Sequence, residues 1–389
     1  MLVAGFGKAA CAMAAAMEEQ FGDSIERGVI ITPYGYCPEK HAFQKIRLYE
    51  GGHPIPDEHG QAGTAEIIRL LKGSDEHSCI VCLISGGGSS LLVSPYKGVS
   101  LAEKKQVTAL LLNAGAAINE LNTVRKHLSS VKGGRLAKIA HPGRVVSLIL
   151  SDVVGDRLDI IASGPTAPDD STFGDAVQVI EKYKLSSAMP AAVIDFLAKG
   201  SQGLIPETLK RGDAIFGNVE NSIIAGNRIA LEAARAEGEK LGYPAEIITS
   251  ELTGEAREAG RWLAHRAMRM KRSACLISGG ETTATVTGSG TGGRNLELAL
   301  AFAMEIQGLP GITLLSAGTD GRDGSADAAG AVVDGGTIAG ARARGLDPAE
   351  YLANNDSYAF FRQAGGMVIT GPTGTNVMDI QVIIVDRSE

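Results

Sequence analysis

Ser78-Cys-Ile-Val-Cys-Leu-Ile-Ser-Gly-Gly-Gly-Ser-Ser90 is the stretch that decides the fold. Ile80–Ile84 is an apolar run of buried-strand type. Three glycines and two serines follow it at once. Glycine costs conformational entropy and packs nothing, so three in a row are poor for stability. They suit a backbone that turns its N–H groups towards an anion. An echo lies in the second half. Leu83-Ile-Ser-Gly-Gly-Gly-Ser-Ser90 resembles Leu276-Ile-Ser-Gly-Gly-Glu-Thr-Thr283. Each is a strand running into Ser-Gly-Gly and then small hydroxyl residues. The reading is two ligand loops, one per domain, facing a shared cleft.

Working outward, strand and helix patterns alternate. Leu2–Ala4 reads as a strand, followed by glycines and an alanine-rich helix to about Phe21. Gly28–Thr32 reads as a strand, Glu58–Leu71 as a helix, Leu101–Leu121 as one long helix and Val145–Leu150 as a buried strand. Such alternation predicts an α/β fold of parallel strands with helices on both faces. Ligands of such sheets bind beyond the carboxyl ends of the strands. A softer zone runs from Gly164 to about Val219, and the domain change is expected near its end, dividing the chain into 1–218 and 219–389. Beyond it, Ser222–Ala225, Ala245–Ile248, Ala274–Ile277, Ile312–Leu315 and Val382–Val385 read as strands. Arg228–Leu241, Glu255–Met270 and Asn295–Glu305 read as helices.

Composition narrows the function. Fifty of the 389 residues are glycine, where about 7% is usual, so tight strand-to-helix loops are numerous. The net charge of −7 argues against sequence-independent nucleic-acid binding, which needs a basic surface. It leaves room for an anionic substrate, because only the local field of a cleft matters there. No stretch is long and apolar enough to span a bilayer, and the N-terminus lacks the basic start of a signal peptide. The five cysteines, an odd number, fit reduced thiols in a cytoplasmic protein. Cys79 and Cys82 stand three apart in a strand, so their sulfurs diverge and neither zinc nor a disulfide is expected between them.

Six segments carry chemistry. Gly5-Phe-Gly-Lys8 joins a strand to a helix, where close backbone, free N–H groups and a lysine suit a phosphate. Its spacing is not that of a Walker A loop. Ser85, Gly86, Gly87, Gly88, Ser89 and Ser90 form the anion nest described above. Asn122–Arg135 holds a basic island that includes Arg125 and Lys132. Asp152 follows a strand end and can accept a hydroxyl proton or hold Mg²⁺. Arg294 stands at a helix start, where its charge opposes the dipole and calls for an anion in front of it. Asp320 and Asp323 share a glycine-rich loop that suits Mg²⁺, which takes one or two carboxylates with phosphate oxygens and water. The formal G-x-G-x-x-G of Gly288, Gly290 and Gly293 lacks the acidic residue that would hold a ribose.

Together these segments resemble the glycerate 2-kinase family, with its glycerate kinase and MOFRL domains. The likeness runs through Gly5–Lys8, Gly51-Gly-His-Pro-Ile-Pro-Asp57, Ser85–Ser90, Asn122–Arg135, Ser151–Asp156, Ser163-Gly-Pro-Thr166, Gly279-Gly-Glu-Thr282, Gly292-Gly-Arg-Asn295 and Gly318–Asp323. It covers nearly the whole chain. The resemblance implies transfer of phosphate from ATP, with a divalent cation, to the 2-hydroxyl of D-glycerate. It implies a Rossmann-like first domain and a smaller mixed second domain with a MOFRL-type segment at about 271–385, the active-site cleft lying between the domains. Lys8, Asp152, Arg294 and Asp320 become the expected catalytic positions. Gly5, Gly7 and Ser85–Ser90 are expected to bind the nucleotide, and Arg125, Lys132, Glu281 and Asn295 the substrate. Asp320 and Asp323 are the expected metal ligands. Family members usually carry a helical segment before the first strand, so either the start lies upstream or this chain lacks that segment. Subunit contacts depend on it, and a homodimer is compatible with the reading. Two rivals stand beside the kinase: an NAD(P)H-dependent hydroxypyruvate reductase and a non-catalytic sugar-acid-binding protein.

Overall fold

The computed structural model describes residues 1–37 and 42–387. Two compact units emerge. The first comprises Met1–Leu150 and Asp156–Ile224; the second comprises Ser151–Gly155 and the chain from Ala225 onward.

The first unit is built on a six-stranded sheet of β1 (Leu2–Phe6), β2 (Arg27–Pro33), β3 (Ile46–Gly51), β4 (Cys79–Ile84), β5 (Arg144–Leu150) and β6 (Val219–Ala225). Their spatial order is β3-β2-β1-β4-β5-β6. The pairings β3–β2, β2–β1, β1–β4 and β4–β5 are all parallel. β1 is buried along its whole length and β4 over all but its first residue, as expected of central strands covered on both faces. The chain moves outward one way from β1 and then the other way from β4. The switch point therefore lies between β1 and β4, where open α/β sheets bind ligands.

The second unit has its own six-stranded sheet of β7 (Ala245–Leu252), β8 (Ala274–Gly280), β9 (Ile312–Gly318), β10 (Gly330–Asp334), β11 (Met367–Val368) and β12 (Asp379–Val385). Their order is β11-β10-β9-β12-β8-β7. Only β7–β8 is parallel; β12 enters antiparallel between β8 and β9. Helix Arg294–Glu305 is buried from Asn295 to Ala303 and forms the centre of this unit's core.

Four features differ from the reading of the sequence. The expected helix Leu101–Leu121 is two helices, Leu101–Asn113 and Ile118–His127. Gly115 adopts a left-handed φ of 75° and ends the first of them. The softer zone contains helices Phe173–Lys182 and Ala191–Ser201, whose Phe173, Val179, Val193 and Phe196 pack against Leu121 and Val124. A Thr172/Asp175 capping box starts the first of these helices. Val219–Ala225 completes the first sheet rather than opening the second, so the first unit runs to Ile224, beyond the expected 218. Lastly, Cys11 and Cys37 are joined in a disulfide with Cα atoms 5.5 Å apart, which corrects the expectation of five reduced thiols. The helix after β1 and the loop after β2 bring them together, a meeting that spacing in the chain does not reveal. Cys79 and Cys82 lie on β4 as free thiols, and burial pushes the Cys82 thiol up to about 12.

Candidate active site

In the first unit, the expected phosphate loops meet at the switch point. Parallel pairing of β1 with β4 sets Phe6 beside Ile84, so the turns that follow both strands emerge side by side. They are tied by the Lys8 N–H donating to the Gly86 carbonyl at 2.8 Å and the Ala9 N–H donating to Ser85 Oγ at 3.0 Å. Gly7 has a φ of 128°, and any side chain there would collide with Ser85. This close approach is what Gly5-Phe-Gly-Lys8 is for. The N–H groups of Gly86 and Gly87 donate to no protein acceptor among the described residues, and Lys8 Nζ has no hydrogen-bond or ion-pair partner there. Two open donors and an unpaired ammonium suit an anion.

Two residues the sequence reading left out of its site join this group. His53 packs against Gly87, where a Cβ would lie 2.8 Å from its ring. Burial, and then the charge of Lys8, hold His53 below the ordinary histidine range, so its ring is neutral near pH 7. Ser163 Oγ lies 2.8 Å from Ser89 Oγ, and Lys132 Nζ donates to Ser89 Oγ at 3.3 Å. His53 and Ser163 belong to motifs that carried the family resemblance, which was the one signal that could have found them. Arg125 is half-buried on helix Ile118–His127.

In the second unit, a separate polar cluster forms where β8 and β9 end and β12 begins. Register sets Asp379 beside both Gly280 and Gly318. Arg294 Nε and an Nη atom grip the two Asp379 oxygens at 2.6 and 3.0 Å, and its other Nη meets Glu281 at 2.8 Å. The anion that Arg294 needed is thus supplied by the protein. Burial disfavours the Arg294 charge, yet the hydrogen bonds and charge of Asp379 hold its guanidinium above the ordinary value. Asp379 is only 1% exposed; burial pushes its carboxyl up and Arg294 pulls it back. Sequence reading missed Asp379 because it lies 85 residues from Arg294 and meets it only through the insertion of β12.

The two aspartates of the glycine-rich loop part company. Asp320 is half-buried, and its Oδ1 accepts from the Arg322 N–H at 3.0 Å. Asp323 is buried, and its oxygens accept from the Asn295 and Leu296 N–H groups at 2.9 and 2.8 Å. It caps helix Arg294–Glu305, which has Gly293 and no capping side chain of its own at that end. Burial raises the Asp323 carboxyl to about 6, against the pull of those two N–H groups. Asn295 is buried as well, its amide held by Asp323 and by Ser316 Oγ at 2.7 Å. Asp323, expected as a metal ligand, and Asn295, expected as a substrate ligand, are thus both held by hydrogen bonds within the protein. Among the described residues no group of three or more His, Cys, Asp or Glu is arranged to hold a metal. Mg²⁺ does not need such a cage, since one carboxylate beside phosphate oxygens suffices, and Asp320 fits that part.

Asp152 follows β5 and is half-buried in the segment that clusters with the second unit, anchored by the Ser151 N–H donating to the Ala225 carbonyl at 2.8 Å. The G-x-G-x-x-G segment is structural. Gly288 and Gly290 pack against Asn354 and Asp356, and the Thr287 and Gly288 N–H groups donate to Asn355 Oδ1. No described helix is long and apolar enough to cross a membrane.

Residues 1–198 match a family described as a domain of unknown function (DUF4147), and residues 274–379 match the MOFRL family. A D-glycerate 2-kinase of Thermotoga maritima is 45% identical over 98% of this chain and 89% of its own length. A glycerate 2-kinase of Pyrococcus horikoshii is 43% identical over 98% of this chain and 87% of its own. A relative from Agrobacterium vitis, 42% identical over 99% of both chains, carries a provisional hydroxypyruvate reductase name. The crystal structure of a glycerate kinase from Thermotoga maritima superimposes with a TM-score of 0.91, covering 99% of this chain and 91% of that one at 44% identity. The chain belongs to the glycerate kinase family.

Proposed function

We propose that this protein is a glycerate kinase that transfers the γ-phosphoryl group of ATP to the 2-hydroxyl of D-glycerate, giving 2-phosphoglycerate. The observation that carries the reading is the pairing of an unpartnered Lys8 ammonium with the open N–H groups of Gly86 and Gly87 at the β1/β4 switch point. Phosphoryl transfer asks a protein for positioning and charge neutralisation more than for covalent chemistry. In the first unit, Gly5, Gly7 and Ser85–Ser90 hold phosphate oxygens, Lys8 offsets their charge, and Arg125 and Lys132 hold the acid. For the second unit, the family resemblance supports catalytic roles for Arg294, Asp320 and Asp152, with Asp152 as the base for the acceptor hydroxyl. Asp320 is the carboxylate that would hold Mg²⁺, which when bound offsets phosphate charge.

The test is a coupled assay of ADP release across glycerate, lactate, tartronate and hydroxypyruvate, with phosphorus NMR of the product. Expected are glycerate- and Mg²⁺-dependent ADP formation, a phosphate on the 2-oxygen, and no NADH oxidation on hydroxypyruvate. Hydroxypyruvate-dependent NADH oxidation without ADP formation would replace the kinase by a reductase. The structural packing of Gly288 and Gly290 argues against that outcome.

A second expectation separates the two aspartates. Asp320→Asn raises the Mg²⁺ concentration needed for half-maximal rate and leaves the melting curve unchanged. Asp323→Asn leaves the Mg²⁺ titration unchanged but costs about 1–3 kcal/mol of stability, because an amide cannot accept from both helix N–H groups. Mg²⁺ titrations and denaturant melts on both variants decide it. A raised Mg²⁺ requirement in a fully stable Asp323→Asn would reverse the assignment.

A further inference from the structure

The first unit buries more positive charge around helices Leu101–Asn113 and Ile118–His127 than it neutralises. Five cations lie there, and two are satisfied. Lys126 meets Asp169 at 3.2 Å and Asp159 at 3.5 Å. Arg135 donates to the carbonyls of Lys126, Ser129 and Pro206 and lies over the Tyr96 ring. The other three have no acid. Lys132 is fully buried and reaches only neutral oxygens, Ser89 Oγ at 3.3 Å and the Ala162 carbonyl at 3.2 Å. Lys104 is 4% exposed, with a single 3.5 Å approach to the Leu128 carbonyl. Arg125 is half-buried and has no hydrogen-bond or ion-pair partner among the described residues.

This is a costly arrangement. A buried charge without a partner is strongly unfavourable. Burial first, and then repulsion from neighbouring cations, hold the Lys104 and Lys132 ammonium groups well below the usual lysine range. Lys104 also stands in the first turn of its helix, where the dipole opposes positive charge. Packing does not explain it, since an apolar residue would fill the space at less cost.

We propose that Lys104, Arg125 and Lys132 form a seat for a compact oxyanion, a carboxylate or a phosphate group, whose charge theirs awaits. Ser89 and Arg125 are half-buried, and the Ser89 hydroxyl, held by Ser163 at 2.8 Å and by Lys132 at 3.3 Å, stands at the edge of the seat. Lys104 is its new member, a buried lysine that belongs to none of the motifs of the chain. That the seat takes the acid acceptor or the nucleotide rests on the kinase reading; the seat itself rests on burial and charge.

The test uses inorganic phosphate as probe, with calorimetry and thermal melts on the full chain. Phosphate is expected to bind the unmodified protein and raise its Tm. Lys104→Met is expected to raise the ligand-free Tm by about 2–4 °C, since it removes an uncompensated buried charge. The same change weakens phosphate binding about 10- to 100-fold, the loss of a charged hydrogen bond. A lysine with a purely structural role gives neither effect. Displacement of phosphate by D-glycerate identifies the acceptor as the occupant, and displacement by ATP alone identifies the nucleotide. Should Lys104→Met fail to fold, Arg125→Met carries the same test from a half-buried position. Unchanged phosphate affinity in the folded variants overturns the seat, even if glycerate is turned over normally. Phosphate binding without any glycerate turnover instead leaves the seat standing and removes the kinase reading.

Discussion

Lys8→Ala is expected to lower kcat on the order of 10²–10³-fold while changing KM far less. The ammonium has no protein partner and sits beside two backbone donors that have none either. Interactions realised most strongly with the transition state appear in kcat, whereas those shared with the bound substrate appear in KM. The fold should tolerate the change. Lys8 is half-exposed and supports nothing by hydrogen bonding through its side chain, so stability is expected to stay within about 0.5 kcal/mol. His53 supplies an independent readout. Burial is the larger cause of its lowered pKa and Lys8 the smaller. Removing Lys8 therefore moves the His53 titration upward, part of the way to the ordinary value. Steady-state kinetics, a thermal melt and an NMR titration of His53 together decide the matter. A folded Lys8→Ala with near-normal kcat removes Lys8 from the reaction, and an unmoved His53 means that the Lys8 charge does not act on that ring.

The two units were unequally legible in the sequence. In the first, the chemistry follows strand ends, and an apolar run that stops at glycine announces a strand end by itself. Lys8 and Ser85–Ser90 could be named because a parallel sheet makes neighbours of the turns after its central strands. The second unit gathers its cluster by a different route. Asp379 begins β12 and so stands at a strand's start rather than in the turn after one, and only the antiparallel entry of β12 between β8 and β9 delivers it to Arg294. Local pattern carries no record of that insertion. The helix-capping part of Asp323 was hidden for a related reason. On the chain it looks like a partner of Asp320, but a helix that starts at glycine left two N–H groups unsatisfied, and Asp323 satisfies them from another element. Lys104 carries no local signal, since a lysine in the first turn of a helix ordinarily reads as solvated surface; only the folded structure buries it and brings it to 3.5 Å from the Leu128 carbonyl.

Arg294→Ala should be damaging twice, and the two effects can be pulled apart. Its guanidinium makes two bonds to Asp379 and one to Glu281. Asp379 is buried, so truncating Arg294 leaves an uncompensated carboxylate, which typically costs about 3–5 kcal/mol. The sign of the pH dependence follows. Burial already raises the Asp379 carboxyl with Arg294 in place; without Arg294 only the Asn295 side chain opposes burial, so the folded variant holds its proton further above the unfolded value. A raised carboxyl contributes stability below the unfolded pKa and loses it as pH rises through the folded one. The deficit against the unmodified protein should therefore be smallest in acid and grow towards neutrality. Arg294→Lys keeps a charge but cannot reproduce the two-pronged grip, so it should recover part of the stability and little of the rate. The double variant Arg294→Met/Asp379→Leu decides between scaffold and catalysis. Replacing a buried ion pair by apolar groups is often neutral or stabilising, so its melt should return close to that of the unmodified protein. Its kcat should stay about 10²–10³-fold low if Arg294 acts on the transferring group. Recovery of both stability and kcat in the double variant would make the pair a scaffold for β12 and nothing more.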